Sequence, residues 1–195
     1  MTQELIERTL AGDESAARQL HDSHYPAVLR LAHMLLQNLQ DAEDATPDAF
    51  VYAFRNLARY DQERASFATW LKVIVTSRCR DRQRRQRFHW LSLQRLTESG
   101  IEPEDETDDH QPDTAFELVG MQQMIWDALN QVPRKSRQAL ILRFFGQLSY
   151  REIAQALDCT ISTAKSRVGY GLRTLGQILG SEAGAALGYH FGDAK

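Results

Sequence analysis

The sequence is poor in the residues that crosslink chains or break helices. Of its 195 residues only two are cysteine, five are proline and eleven are glycine. Cys79 and Cys159 stand far apart, and neither belongs to a Cys-x-x-Cys or Cys–His cluster. We therefore expect neither a disulfide framework nor a zinc site, and a reducing cytoplasm suits the chain. The sequence also suggests no cofactor.

Three further absences exclude other classes of protein. No run of about 18 apolar residues is present, so we expect no membrane insertion. The start of the chain, residues 1–5, lacks the basic and apolar regions typical of a signal peptide. Strand-like alternation of useful length is missing as well, whereas apolar residues recur with the period of a helix. The sequence therefore predicts an all-α, cytoplasmic protein.

Lysine and arginine are absent from residues 96–133, which instead carry ten acidic side chains. This acidic stretch lies between two basic parts of the chain. The net charge of −3 hides this division. The first basic part, called here the arginine block, holds six cations within ten positions: Arg78, Arg80, Arg82, Arg84, Arg85 and Arg87. Clustered cations repel one another, and an anionic partner relieves that repulsion. The block therefore favours nucleic-acid binding over a merely solvated helix end.

The second basic part, residues 148–168, predicts a helix-turn-helix. Ser149 and Glu152 can form a capping box at the start of its first helix. Asp158 suits the turn because aspartate tolerates the left-handed conformation. The residues predicted to face inward from the second helix are Ile161, Ala164 and Val168. Small hydroxyls and cations would then face outward, suited to phosphates and base edges. Helical bundles that bind nothing can carry the same pattern, so this stretch alone leaves both interpretations open.

Shorter signals predict where other helices begin and end. Asp13 can cap one helix, and Pro26 suits the first turn of the next. Thr46, followed by Pro47 and an acid, is typical of a third helix start. Ser66 can cap a helix that runs on through the arginine block, and Gly146 can end a later one.

The order of these parts resembles the sigma-70 family, in particular its extracytoplasmic-function (ECF) sigma factors. The residues that carry the resemblance are Asp41–Asp44 with Phe50, Ala65–Leu71, the arginine block, Leu129 with Val132–Pro133, Leu148–Ala154 and Thr163–Arg167. The resemblance covers about residues 5–90 and 117–179. It implies two small helical domains joined by a flexible acidic linker: sigma-2 at 1–90, the linker at 91–116 and sigma-4 at 117–180. The tail, 181–195, has no assigned role.

The resemblance also implies partners and sites. Sigma-2 would bind the β′ clamp of bacterial core RNA polymerase and recognise the −10 element of promoter DNA, whereas sigma-4 would bind the β flap and read the −35 element. The implied polymerase-binding residues are Asp41, Asp44, Asp48 and Phe50. The implied −10 residues are Arg78, Arg80, Arg82, Arg84 and Arg85. The implied −35 residues are Arg151, Thr160, Ser162, Thr163, Lys165, Ser166 and Arg167. The family also makes an anti-sigma factor a candidate regulator.

The chain departs from the family pattern at three places. Residues 45–47 replace bulky side chains and a glutamine, so we expect the polymerase-facing helix to start late or kink there. Gly169 and Gly171 interrupt the second helix of the helix-turn-helix. Since each glycine costs about 1 kcal/mol relative to alanine in a helix interior, we expect that helix to fray. Asp158 stands where the family usually has a turn glycine.

Two other classes of function remain as alternatives. A stand-alone helix-turn-helix regulator, binding duplex DNA as a dimer, would not need the sigma-2-like half of the chain. An enzyme acting on nucleic acid would need a metal or acid–base constellation, and the six histidines and the carboxylates form no recognisable one. We therefore predict a promoter-specificity subunit of RNA polymerase with no catalytic residues.

Overall fold

The computed structural model of the protein describes residues 2–96 and 120–186. All regular structure in these two ranges is helical, as the sequence predicted. The α-helices are α1 (Thr2–Leu10), α2 (Glu14–Leu36), α3 (Leu39–Arg55), α4 (Phe67–Leu96), α5 (Gly120–Asn130), α6 (Arg134–Leu140), α7 (Tyr150–Leu157) and α8 (Ile161–Ala186). The chain divides into two compact units, residues 1–112 and 113–195.

In the first unit, α2, α3 and α4 pack against one another and α1 lies on α2. The core residues Leu20, Leu71 and Val75 are fully buried, and each such aliphatic side chain contributes about 1.5–3 kcal/mol. Asp13 caps α2 as predicted, because its side chain accepts hydrogen bonds from the backbone N–H groups of Ser15 and Ala16. These contacts fix three helices around one apolar centre.

The helix start predicted at Pro26 is wrong, since α2 runs through this proline without a break. Proline lacks an N–H and removes one helical hydrogen bond. However, Leu20 before it and Val28 and Leu31 after it are all buried on the same side of α2. Continuous burial of this apolar stripe outweighs the missing bond.

The start predicted at Thr46 and Pro47 is also wrong. Helix α3 begins eight residues earlier, where the Asn38 side chain accepts a hydrogen bond from the Asp41 N–H at 2.9 Å. Thr46 is fully buried, and its hydroxyl donates to the Ala42 carbonyl at 2.7 Å. The hydroxyl thus bonds back within the helix and does not cap it. Pro47 is exposed in the helix interior.

Helix α4 begins as predicted and ends later than expected. The Ser66 hydroxyl accepts a hydrogen bond from the Thr69 N–H at 3.2 Å, which is the predicted cap. The helix then continues to Leu96, so the first six residues of the predicted linker are helical. The rest of that linker, 97–116, the predicted helix start near residue 116 and the end of the tail, 187–195, lie outside the described residues.

In the second unit, α8 packs against α5, α6 and α7. The helix continues through Gly169 and Gly171 as far as Ala186, with a non-helical residue at Gly180, so the expected fraying is wrong. A Cβ atom on Gly171 would lie 2.8 Å from Leu140 Cδ1 and 3.3 Å from the Ser136 carbonyl oxygen. The glycine at 171 therefore allows α8 to pack closely on α6, which compensates for its weak helix propensity.

The end of α6 differs in detail from the prediction. A π-helical turn, Ile141–Phe145, follows α6 and ends at Gly146. The left-handed residue is Gln147, with φ of 56°, whereas Gly146 keeps right-handed helical angles. A Cβ on Gly146 would lie 2.6 Å from the Leu142 carbonyl oxygen. Glycine is thus required there by close backbone approach.

The predicted helix-turn-helix is present in α7 and α8. The Ser149 N–H donates to Glu152 Oε2 at 2.7 Å, and the Glu152 N–H donates to Ser149 Oγ, which completes the capping box. Asp158 adopts the left-handed conformation at the turn, with φ of 51°. The inward position of Ile161 is wrong, because this first residue of α8 is 47% exposed.

Within 2–96 and 120–186, we find no helix that is both long enough and apolar enough to cross a membrane. Both cysteines carry free thiols. Burial raises the pKa of the Cys79 thiol to about 12, so this thiol stays protonated and unreactive at neutral pH.

Candidate functional site

Helices α3 and α4 bring predicted polymerase-binding acids and predicted DNA-binding arginines together. Arg82 on α4 donates from Nε to Asp41 Oδ1 and from Nη2 to Asp44 Oδ2, both at 2.7 Å. Gln86 Nε2 donates to the two oxygens of Asp41 at 3.1 and 2.9 Å. The two acids are three residues apart and Arg82 and Gln86 are four apart, so each pair shares one helix face. We call these four residues the carboxylate–arginine cluster.

The environment of the carboxylate–arginine cluster keeps Arg82 charged. Partial burial acts to lower the pKa of the guanidinium, but the hydrogen bonds and charges of Asp41 and Asp44 outweigh it and raise the pKa above its usual value. The Asp41 side chain is only 18% exposed, whereas that of Asp44 is 48% exposed. Sequence reasoning missed Gln86, although its position one turn after Arg82 was a usable signal.

The other described arginines of the block have different surroundings. The Arg78 guanidinium lies 4.3 Å from the centre of the Tyr52 ring, a cation–π contact. The Arg84 side chain is 71% exposed, and its Nη2 lies 3.6 Å from Asp81 Oδ1. Arg85 is exposed, and none of its side-chain atoms bonds to a described residue. Arg80 is half-buried. Arg84 and Arg85 therefore offer the most accessible positive charge.

A groove of about 220 Å³ lies beside the carboxylate–arginine cluster. Its lining residues are Ala45, Asp48, Arg78, Asp81, Arg82, Arg85 and Gln86. The exposed Asp48 places a negative charge on the same groove as the arginines. The two sites that the sequence assigned to different partners thus lie side by side in the first unit.

Phe50 does not lie on this surface. Its side chain is 3% exposed, and its ring centre is 4.5 Å from that of His21 and 6.0 Å from that of Phe54. Because the ring is enclosed in an aromatic cluster, it supports α3 from within the core. Phe50 therefore presents almost no exposed surface for the direct polymerase contact that the family resemblance implied.

The second unit displays the predicted DNA-reading face of α8. Ser162, Lys165 and Ser166 are exposed, and Thr163 and Arg167 are partly exposed. Opposite them, Ala164 and Val168 are buried and hold the helix on the unit. On α7, Arg151 is exposed. The arrangement presents hydroxyl and cationic groups on one side of a firmly packed helix.

Thr160 supports this face by capping the N-terminus of α8. Its Oγ1 accepts a hydrogen bond from the Thr163 N–H at 3.1 Å, and the two hydroxyl oxygens are 2.9 Å apart. This is the geometry of a helix N-cap. Thr160 therefore fixes the start of α8, and the Thr163 hydroxyl is partly engaged with it.

Tyr150 holds two cations at the base of the reading face. The Lys165 ammonium lies 5.9 Å from the ring centre, and the Arg143 guanidinium lies 5.1 Å from it. Arg143 also donates to the Leu148 carbonyl at 3.0 Å. Neither Tyr150 nor Arg143 was among the site residues expected from the sequence. An aromatic residue at the first position of α7 was the available signal for such a contact.

Among the described residues, no group of three or more histidine, cysteine or acidic side chains could hold a metal ion. The chemistry that these surfaces support is reversible binding through charge, hydrogen bonds and stacking.

Comparison with known proteins decides the family. The family model of Sigma-70 region 2 matches residues 20–89, and that of Sigma-70 region 4 matches residues 122–175. Together the two matches cover more than half of the chain, in the order in which the sequence predicted the two parts. The chain belongs to the sigma-70 family. It is an RNA polymerase sigma factor of the ECF group, which functions in transcription initiation.

Curated relatives resemble this sigma factor over nearly their whole length. The ECF RNA polymerase sigma factor SigW of Bacillus subtilis is 26% identical over 178 residues, which are 90% of this chain and 95% of the relative. The RNA polymerase sigma-H factor of Pseudomonas aeruginosa is 28% identical over 85% of this chain and 87% of its own. The match thus extends across both units.

Solved structures share the fold. The sigma factor RpoE of Bartonella quintana, solved in complex with the anti-sigma factor NepR, aligns with a TM-score of 0.60 and 24% identity, covering 83% of this chain and 95% of that one. CnrH, solved in complex with the cytosolic domain of CnrY, aligns with a TM-score of 0.56 and 22% identity, covering 90% and 94% of the two chains.

Proposed function

We propose that this sigma factor brings core RNA polymerase to promoters that carry a −10 and a −35 element. The observation that carries the proposal is the presence of Sigma-70 region 2 and region 4 in one chain. In this proposal residues 1–90 form the −10 domain, 91–116 the acidic linker, whose first six residues continue α4, and 117–180 the −35 domain. The linker would let the two domains reach DNA elements at separate positions on the polymerase.

In the first unit, the exposed acids of α3 are the candidates for binding the β′ clamp. Asp44 and Asp48 are exposed on this helix, and carboxylates on a surface suit a cationic partner. On α4, Arg84 and Arg85 are the most exposed cations of the block and would face the backbone of −10 DNA. Arg78 and Arg80 would complete this surface from their partly buried positions.

In the second unit, α8 would enter the major groove of the −35 element. Ser162, Lys165 and Ser166 are exposed on its outer face, and hydroxyl and ammonium groups match base edges and phosphates. Arg151 on α7 would bind a phosphate, since it is exposed beside the reading helix. The β flap would bind the same unit.

We further propose that the chain has no catalytic activity of its own and acts in the cytoplasm beside the polymerase.

An anti-sigma factor is a candidate regulator. The solved structure of RpoE with NepR supports this, because a sigma factor of the same fold is bound there by an anti-sigma factor.

Footprinting of promoter DNA with and without core polymerase tests the proposal against the stand-alone regulator. The sigma factor should protect the −35 and −10 elements only together with core, and it should co-purify with core. Protection of a palindromic site by the chain alone, without any binding to core, would establish the regulator instead.

Variants of the reading helix give a second test. Lys165→Ala should weaken −35-dependent promoter binding by holoenzyme, by about 1–3 kcal/mol if the ammonium contacts a base. Arg173→Ala is the matched control, since Arg173 is also exposed on α8 but lies about 12 Å further along the helix. Equal affinity of the Lys165→Ala and unchanged holoenzymes would remove Lys165 from the −35 surface.

A further inference from the structure

Among the described arginines of the block, Arg82 is set apart from Arg84 and Arg85 by the groups that surround its charge. Its guanidinium donates to two carboxylates of another helix, Asp41 and Asp44, at 2.7 Å each. One positive charge is thereby set against two negative charges. A DNA phosphate that approached Arg82 would be repelled by these two carboxylates and would have to displace a charge-assisted hydrogen bond. Arg82 is therefore poorly placed to bind DNA.

Arg85 provides the contrast within the same helix. It lies three residues after Arg82, is exposed, and has no bonding partner among the described residues. Its side chain can turn toward a phosphate without breaking any contact between helices. The comparison separates an arginine committed to the fold from one that is available to a polyanion.

Asp41 is committed to the fold in the same way. Both of its carboxylate oxygens accept hydrogen bonds, Oδ1 from Arg82 and Gln86 and Oδ2 from Gln86. With its side chain 18% exposed, Asp41 offers little to a partner protein. Asp44 is 48% exposed and can face a partner while it remains bonded to Arg82.

We propose that Arg82 is a positioning residue and does not contact promoter DNA. Together with Asp41 and Gln86 it joins α4 to α3 and holds Asp44 in place. We call this connection between the two helices the tie. This inference rests on the proposed function, because it deepens the assignment of α3 to polymerase and of α4 to the −10 element. Arg82 and Asp41 thereby leave the partner surfaces that the family resemblance implied. The tie fixes the position of α3, which carries the polymerase-facing acids, relative to α4, which carries the DNA-facing arginines.

Thermal unfolding of the free, full-length chain tests the tie. Arg82→Gln should lower the Tm by several degrees, whereas the matched Arg85→Gln should leave it unchanged. In an Asp41→Asn, Asp44→Asn background, Arg82→Gln should lower the Tm far less, because its partners are already uncharged. Additive losses in this double-mutant cycle would contradict the tie. Arg82→Lys, which cannot fork to two carboxylates, should also unfold below wild type; an unchanged Tm would contradict the proposal.

The salt dependence of promoter binding by the reconstituted holoenzyme tests the absence of a DNA contact. Arg85→Gln should reduce the slope of log K against log salt by about one phosphate contact. Arg82→Gln should leave the slope at the wild-type value, and a reduction equal to that of Arg85→Gln would overturn the inference. If the wild-type chain formed no promoter-binding holoenzyme, the proposed function would fail, while the unfolding test of the free chain would still decide the tie.

Discussion

At the scale of single residues, Gly171 and Gly169 are two positions apart in α8 and have opposite surroundings. A Cβ at Gly171 would meet Leu140 Cδ1 at 2.8 Å, whereas a Cβ at Gly169 would meet, among the described residues, only Arg173 Nη1 within 4 Å, at 3.8 Å. Family resemblance marked both as weak points of the helix. The structure distinguishes a glycine required by packing from one that has room for a side chain.

Alanine substitution at these two glycines should therefore have opposite effects. Gly169→Ala should raise the free energy of unfolding by up to about 1 kcal/mol through helix propensity. Gly171→Ala gains the same propensity but forces α8 away from α6, and overpacking of this kind costs about 1–3 kcal/mol. Chemical denaturation of the two variants measures the difference. Equal stabilisation by both would show that Leu140 yields without strain.

Two histidines of α2 make the stability of the first unit depend on pH. Burial, with a smaller effect of the Lys72 charge, lowers the pKa of His24, and burial lowers that of His33. A lowered pKa in the folded state means that the unfolded chain binds more protons. The stability contributed by these neutral rings is thus present above the ordinary histidine pKa of 6.5 and is lost as the pH falls through the lowered values.

We expect the Tm for unfolding of the first unit to fall as the pH is lowered below about 6.5. Replacing both rings, in His24→Gln, His33→Gln, should flatten this dependence, even if the variant is less stable at every pH. Calorimetric scans at a series of pH values make the comparison. A double variant whose pH dependence matched that of wild type would assign the effect to other groups.

At the scale of the elements, α3 contains an apparent defect at Pro47. A proline in a helix interior is about 3 kcal/mol less favourable than alanine, and Pro47 is exposed, so no core contact explains its presence. Pro47→Ala should therefore raise the stability of the first unit, as measured by thermal unfolding. Pro26→Ala in α2 is the paired variant, since Pro26 also lies inside a helix and tests the same effect. A loss of stability on Pro47→Ala would mean that the proline supports the helix in a way that the packing does not show.

Helix starts show what the sequence could and could not predict. The caps at Asp13, Ser66 and Ser149 were predicted correctly because a local side chain satisfies a nearby N–H. The starts at Pro26 and Thr46 were wrong because burial of residues on both sides keeps those helices continuous. Local signals are reliable where the bond is local, and they fail where packing between helices decides.

The candidate sites show the same limit. The exposed face of α8 was predictable from spacing, because burial of Ala164 and Val168 leaves the residues between them outside. The bond from Arg82 to Asp41 and Asp44 joins residues about 40 positions apart in the chain. Spacing along one helix carries no information about that contact, so the sequence assigned its members to two different partners.

At the scale of the whole molecule, the chain carries two surfaces that share one proposed task. The first unit matches Sigma-70 region 2 and presents acids and arginines on α3 and α4, and the second matches region 4 and presents α8. Neither surface requires a metal or a reactive side chain for its proposed role. In the proposed function both units act on one polymerase and one promoter.

Run-off transcription with core polymerase over a library of promoter sequences tests this central claim most directly. With the sigma factor present, we expect new transcripts whose start sites follow a shared −10 and −35 pair at one preferred spacing, and no such transcripts from core alone. If adding the chain left the transcripts of core unchanged on every promoter tested, the account of the protein as a promoter-specificity subunit would be contradicted.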